Sequence, residues 1–153
     1  MKKVLVVMGS DSDLKVMEKC VDRLKSFDIP TEVRICSAHR TPAVAEQLAK
    51  NAAAGKAAHL GGVLAAYTTL PVIGVPMATS VMGGMDSLLS IVQMPKGIPV
   101  ATVAIDGADN AAILAAQMIA LSDDALAAKL AQFKADMAAE VTAKDEKVRA
   151  QFA

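Results

Sequence analysis

Val4–Asp13 reads VLVVMGSDSD: four apolar residues in a row, a methionine, then a loop of small and acidic residues. A short apolar run that ends in a polar loop is the form taken by a strand covered on both faces of a parallel sheet. Beyond the loop, Leu14, Met17, Val21 and Leu24 recur at helical spacing, and Pro30 lies past the helix exit. The stretch therefore predicts a central strand, a loop and a helix.

The same unit recurs along the chain. TEVRIC (31–36) alternates Thr31, Val33 and Ile35 with Glu32, Arg34 and Cys36, as in a strand near a sheet edge with one wetter face. In RTPAVAEQLAKNAA (40–53), Thr41 suits an N-cap and Pro42 the first helical position, where its missing amide hydrogen costs nothing. PVIGVPM (71–77) and PVATVAI (99–105) read as buried strands, with helical patterns in GGMDSLLSIVQM (83–94) and ADNAAILAAQMIAL (108–121). Ser122 is the expected cap of a long final helix over about 123–150, with Leu126, Leu130, Phe133, Met137 and Val141 as a narrow apolar stripe suited to packing on a neighbouring subunit. Alternating strands and helices predict an α/β fold: a parallel sheet with right-handed crossovers and helices on both faces. One domain over 1–153 is expected.

Composition narrows the function. Sixteen basic residues balance sixteen acidic ones and aromatics make up 3%, so neither the field nor the stacking surface of a nucleic-acid binder is present. The hydrophobic fraction is 54%, yet no run approaches the roughly 18 consecutive apolar residues of a membrane span. The apolar run near the start is too short for a signal peptide and is followed by acids, so a cytoplasmic protein is expected. Cys20 and Cys36 lack CxxC spacing and a histidine cluster, and are read as reduced structural thiols, with no metal. A core of small side chains buries little area per residue, which favours oligomers.

Ligands of such sheets bind at loops beyond the carboxyl ends of the strands. That selects GSDSD (9–13) and SAHRTP (37–42). In the first, Asp11 and Asp13 would repel a phosphate but would accept hydrogen bonds from ribose hydroxyls. Ser10 to Asp13 equally fits a capping box. In the second, Arg40 offers the planar fork that suits phosphate, Ser37 a hydroxyl, and His39 an imidazole able to carry a proton. A solvated turn is the plain alternative for that loop. His59, in GKAAHLGG, has glycines on both sides that permit close approach; taken alone it fits a packed, hydrogen-bonded residue.

Together MGSDSD, SAHRTP, AAHL, TTLPVIGVP, DSLLSIVQMP, GIPVATVAI and NAAILAAQ, in this order, resemble the 5-(carboxyamino)imidazole ribonucleotide mutases, the bacterial form of the carboxylase-type catalytic subunit of purine biosynthesis. The resemblance implies a flavodoxin-like three-layer sandwich, a homo-octamer, a small ribonucleotide substrate and no metal or organic cofactor. It implies His39 as the acid/base, Ser10 and Asp13 as nucleotide contacts with Asp13 on the ribose, Ser37 and Arg40 on the phosphate, and His59 and Leu60 as a second binding segment. The implied reaction moves a carboxylate from the exocyclic nitrogen of an aminoimidazole to a ring carbon without ATP. Alternatives are a carboxylase using free CO2 and a non-catalytic nucleotide-binding or assembly module.

The chain departs from the pattern at one place. KNAAAGKAAHL (50–60) runs from helix to helix where the family has a loop, a strand and a Gly-rich turn. A strand needs about 4 to 8 residues, and none fits there. One central strand is therefore expected to be missing near Gly55, by omission, deletion or rearrangement; the intact flanks favour omission.

Overall fold

The computed structural model describes residues 2–51, 59–80 and 82–152. The break near Gly55 lies outside the described residues. In the first unit, Met1–Ala115, strand β1 (Val4–Met8) leads through a single 3₁₀ turn (Asp11–Asp13) into helix α1 (Leu14–Ser26), and then β2 (Thr31–Ile35) pairs parallel to β1. The register sets Val4 against Thr31 and Met8 against Ile35, and the Cys36 amide donates to the Met8 carbonyl at 2.8 Å.

Helix α2 (Pro42–Asn51) and helix α3 (Leu60–Ala66) follow, then β3 (Ile73–Gly74), α4 (Met85–Val92), β4 (Ala101–Thr102) and α5 (Ala108–Ala120). β3 and β4 form a second parallel pair. Its ladder reaches further than the two regular residues of each strand: the Ala101 amide donates to Val72 (2.9 Å), Val103 to Gly74 (3.1 Å) and Asp106 to Pro76 (2.8 Å). The expected strands at 71–77 and 99–105 are thus in place but short. Among the described residues each has one neighbour, and the prolines at 71, 76 and 99 supply no ladder donor.

Among the described residues the sheet order is β1-β2 and, separately, β3-β4. The division falls between β2 and β3 in the chain. β1 has the burial of a central strand, with Leu5, Val6, Val7 and Met8 at most 3% exposed, yet it has one strand partner. β2 departs from its expected faces. Cys36 is buried, while Val33 and Ile35 are 41% and 59% exposed, because within the described chain no layer covers the side on which they stand.

The core joins β1 to the two helices that follow β2. Leu5 and Val7 pack with Cys36, with Ala45, Leu48 and Ala49 of α2, and with Leu60 and Leu64 of α3. Small residues on α2 let the helix sit close to the strand. On α1, Met17, Cys20 and Leu24 are buried, and Arg23 holds Asp109 of α5 through Nε at 2.8 Å and a second guanidinium nitrogen at 3.4 Å. Gly74 marks another close approach. A Cβ there would stand 2.4 Å from Ile91 Cγ2 of α4 and 3.0 Å from Val100 Cγ1.

The second unit, Ala116–Ala153, carries the long helix α6 (Asp124–Gln151). Its cap is Asp123 rather than the expected Ser122. The Asp123 carboxylate accepts from the Leu126 amide at 3.0 Å, whereas the Ser122 hydroxyl turns back to the Ile119 carbonyl at 3.4 Å; Asp123 is the residue with extended backbone (φ −146°) from which a side chain can reach the free amides of the first turn. The apolar stripe is buried at Leu126 and Leu130 but exposed at Met137 and Val141. Among the described residues no helix is long and apolar enough to cross a membrane.

Burial, and secondarily the Asp109 charge, pushes the Cys20 thiol up from 9.0 to about 12. Above pH 9 an unfolded chain would lose this proton while the folded chain keeps it, so stability falls as pH rises from about 9 toward 12. Denaturation at stepped pH should show this slope, and Cys20→Ala should flatten it. Gly74→Ala should destabilise the fold by about 1–3 kcal/mol, because a methyl group has no room against α4; chemical denaturation reads the change.

Candidate active site

The in-register pairing of β1 with β2 makes their exit loops leave the sheet side by side. In the first, Ser10 has extended backbone (φ −151°) and its hydroxyl accepts from the Ser12 amide at 3.3 Å, while the Asp13 carboxylate accepts from the Ser10 amide at 3.2 Å. The capping box is present, around the 3₁₀ turn that precedes α1. The Ser10 hydroxyl also donates to Asp11 at 3.0 Å. Both side chains thus hold the loop's shape, and a carboxylate with four acceptor positions retains capacity for a ligand's hydroxyls.

The second loop is closed by Thr41. Its hydroxyl donates to the Ser37 carbonyl (2.9 Å) and accepts from the Ser37 amide (3.1 Å), while the Thr41 amide donates to that same carbonyl (2.8 Å). The Ser37 hydroxyl accepts from the Arg40 amide at 3.2 Å. Thr41 begins α2 as expected, its carbonyl taking the amides of Val44 and Ala45 at 3.1 Å each, but its hydroxyl ties the loop rather than capping the helix. This ring of bonds shapes the turn on which His39 and Arg40 are exposed, while Ala38 packs against the core. Among the described residues no carboxylate pairs with Arg40, so its guanidinium is available to an anion.

His59 comes to this loop from α3. Its ring lies 6.1 Å from that of His39, centroid to centroid, at an interplanar angle of 68°. It precedes α3 with left-handed backbone (φ 61°, ψ −21°), and its side chain makes no capping bond. A non-glycine residue there costs roughly 1–3 kcal/mol, a strain carried by the packing of the next residue. Leu60 is 2% exposed and belongs to the core with Leu5 and Val7. Its side chain anchors His59, which leaves only its backbone to meet a ligand.

The structure therefore groups Ser37, His39, Arg40 and His59, sets Ser10 and Asp13 on the adjoining loop, and places the Leu60 side chain in the core. Sequence reasoning passed over two further polar groupings at the carboxyl ends of β3 and β4. The Asp106 carboxylate accepts from the Ala78 amide at 3.0 Å, and the Thr79 hydroxyl donates to Asp86 at 2.8 Å. Their signal was the Asp106–Gly107 pair, which marks a turn; Asp106 has φ 55°. Among the described residues no group of three or more His, Cys, Asp or Glu side chains could hold a metal ion.

Residues 3–140 match the AIR carboxylase family. The chain is 51% identical to the N5-carboxyaminoimidazole ribonucleotide mutase of Methanocaldococcus jannaschii, over 97% of this chain and 99% of that protein. It is 52% identical to the mutase of the same name from Mycobacterium leprae, over 94% of this chain and 90% of that one. A relative from Vigna aconitifolia, a chloroplastic phosphoribosylaminoimidazole carboxylase, is 45% identical over 93% of this chain and 27% of its own length. Among solved structures, Treponema denticola PurE superposes with a TM-score of 0.85 at 29% identity, over 96% of this chain and 98% of that one. The Methanocaldococcus alignment runs over 156 residues, although this chain has 153 and contributes 97% of them; the relative thus holds residues with no counterpart here. With a family match over residues 3–140 and relatives about half identical across nearly the whole chain, this flavodoxin-like α/β chain belongs to the AIR carboxylase family.

Proposed function

We propose that the chain is an N5-carboxyaminoimidazole ribonucleotide mutase of purine biosynthesis, an isomerase that moves a carboxylate from the exocyclic nitrogen to a ring carbon. The pairing of His39 with His59 beside Arg40, which has no carboxylate partner among the described residues, carries this reading. In the first step the N–CO2 bond breaks, CO2 leaves without its bonding pair, and the nitrogen takes a proton from His39. In the second, the electron-rich ring carbon attacks that CO2, a C–C bond forms, and the displaced ring proton returns to His39. No proton or electron is gained or lost overall. Retaining the CO2 between the steps makes recapture effectively intramolecular.

Arg40 and the Ser37 hydroxyl take the phosphate in this scheme, Ser10 and Asp13 the ribose hydroxyls, and His59 with the backbone of Leu60 lines the base side. The chain works as one α/β domain in the cytoplasm and assembles as a homo-octamer, with the exposed stripe at Met137 and Val141 among the surfaces that assembly would cover.

The second reading, a carboxylase that takes free CO2 with the aminoimidazole ribonucleotide, is favoured by the name of the Vigna relative. Separate incubations decide between them. Turnover of the N5-carboxylated ribonucleotide without added bicarbonate is expected, and turnover only with the uncarboxylated ribonucleotide plus CO2 would reject the mutase. His39→Asn should lower kcat by about 10²–10⁴-fold, the usual worth of a general acid/base, with unchanged far-ultraviolet circular dichroism. Arg40→Lys should chiefly raise KM, because an ammonium cannot offer the planar fork.

A further inference from the structure

We propose that His39 and His59 together form a binding site for a transition-metal dication of the zinc class, with two imidazole ligands and water in the remaining positions. The two rings stand 6.1 Å apart at 68°. An imidazole nitrogen binds zinc at about 2.0–2.1 Å. Allowing for the distance from that nitrogen to its ring centre, two imidazoles on one ion are about 5 to 6.5 Å apart over the range from tetrahedral to linear. The observed spacing falls toward the wide end of that range, so a tetrahedral ion would draw the two exposed rings about 1 Å closer by side-chain rotation.

The pair is also mounted for chelation. His39 projects from a loop closed by the Ser37–Thr41 bonds, and His59 is fixed by Leu60 in the same core cluster that holds Ala45, Leu48 and Ala49 of α2. Two ligands held on packed elements lose little freedom when an ion joins them. The His59 ring is not engaged in capping, and both side chains are exposed, so an ion has access. Imidazole favours zinc and copper over the hard cations magnesium and calcium, which take oxygen ligands. The neighbouring Arg40 opposes a dication, and with only two protein ligands the site is a reversible one.

An ion there takes the nitrogen lone pair that a proton carrier at His39 needs, so occupancy and turnover exclude each other. This consequence rests on the mutase reading; the binding itself does not. Calorimetric titration of the intact chain with zinc, with magnesium as control, tests the site without reference to activity. One zinc per chain and no magnesium heat are expected. His39→Asn and His59→Asn should each weaken zinc by at least the roughly 10- to 100-fold that an outer-shell partner is worth; asparagine tolerates the left-handed backbone of position 59. Zinc binding that is absent, or equal in wild type and both variants, would overturn the site. In the wild type, turnover should fall with occupancy and return on chelation. Full turnover at zinc saturation would overturn the inhibitory consequence alone.

Discussion

The parallel ladder between β1 and β2 is the constraint on which the rest depends. It fixes one register, Val4 to Thr31 through Met8 to Ile35, and so brings GSDSD and SAHRTP out at the same edge. A slip of one residue would turn every side chain of β1 to the opposite face. Leu5 and Val7 would then leave the cluster that seats α2 and α3, and His59 would lose its place beside His39. The site is thus set by apolar packing of its sequence neighbours, Cys36 before Ser37 and Leu60 after His59.

Much of this was legible in the residues. The unbroken run VLVV implied a strand covered on both faces, and Leu5–Met8 are at most 3% exposed. The helical spacing of Leu14, Met17, Val21 and Leu24 and the polar punctuation of both loops located α1 and the candidate site. What was not legible depends on side-chain choice within a turn. Thr41 offered a hydroxyl that cap and loop could both use, and spacing does not tell them apart. Ser122 was the expected cap, and the extended backbone of Asp123 gives that place to its neighbour. Leu60 matched a binding motif, yet its side chain belongs to the core, because a leucine at the first turn of an amphipathic helix is drawn to the apolar layer before any ligand is present.

The alternation in TEVRIC misled for a different reason. Period two states that successive residues face opposite ways; which face is covered depends on what lies against it. With β2 at an edge, Val33 and Ile35 stay exposed while Cys36, where the chain turns under Thr41, is buried. The separation of β1-β2 from β3-β4 belongs with this. A parallel strand gains its burial from layers on two faces but its backbone pairing from two edges, and β1 has the first in full and the second by half among the described residues.

This bears on the chemistry. Recapture of CO2 by a ring carbon requires that the gas stay near the base while the bond breaks and re-forms, so the proposed reaction needs a cavity that excludes water. In the single chain His39, Arg40 and His59 are all exposed. Loop geometry alone therefore supplies the reacting groups and their spacing but not the enclosure. The bound ribonucleotide can close part of the space, since its phosphate on Arg40 and its ribose on the Ser10–Asp13 loop would lay the base across the two imidazoles. The remainder has to come from surfaces beyond these loops. In the proposed assembly, a neighbouring copy that covered exposed apolar side chains of the first unit such as Val33 and Ile35 would bring such a surface.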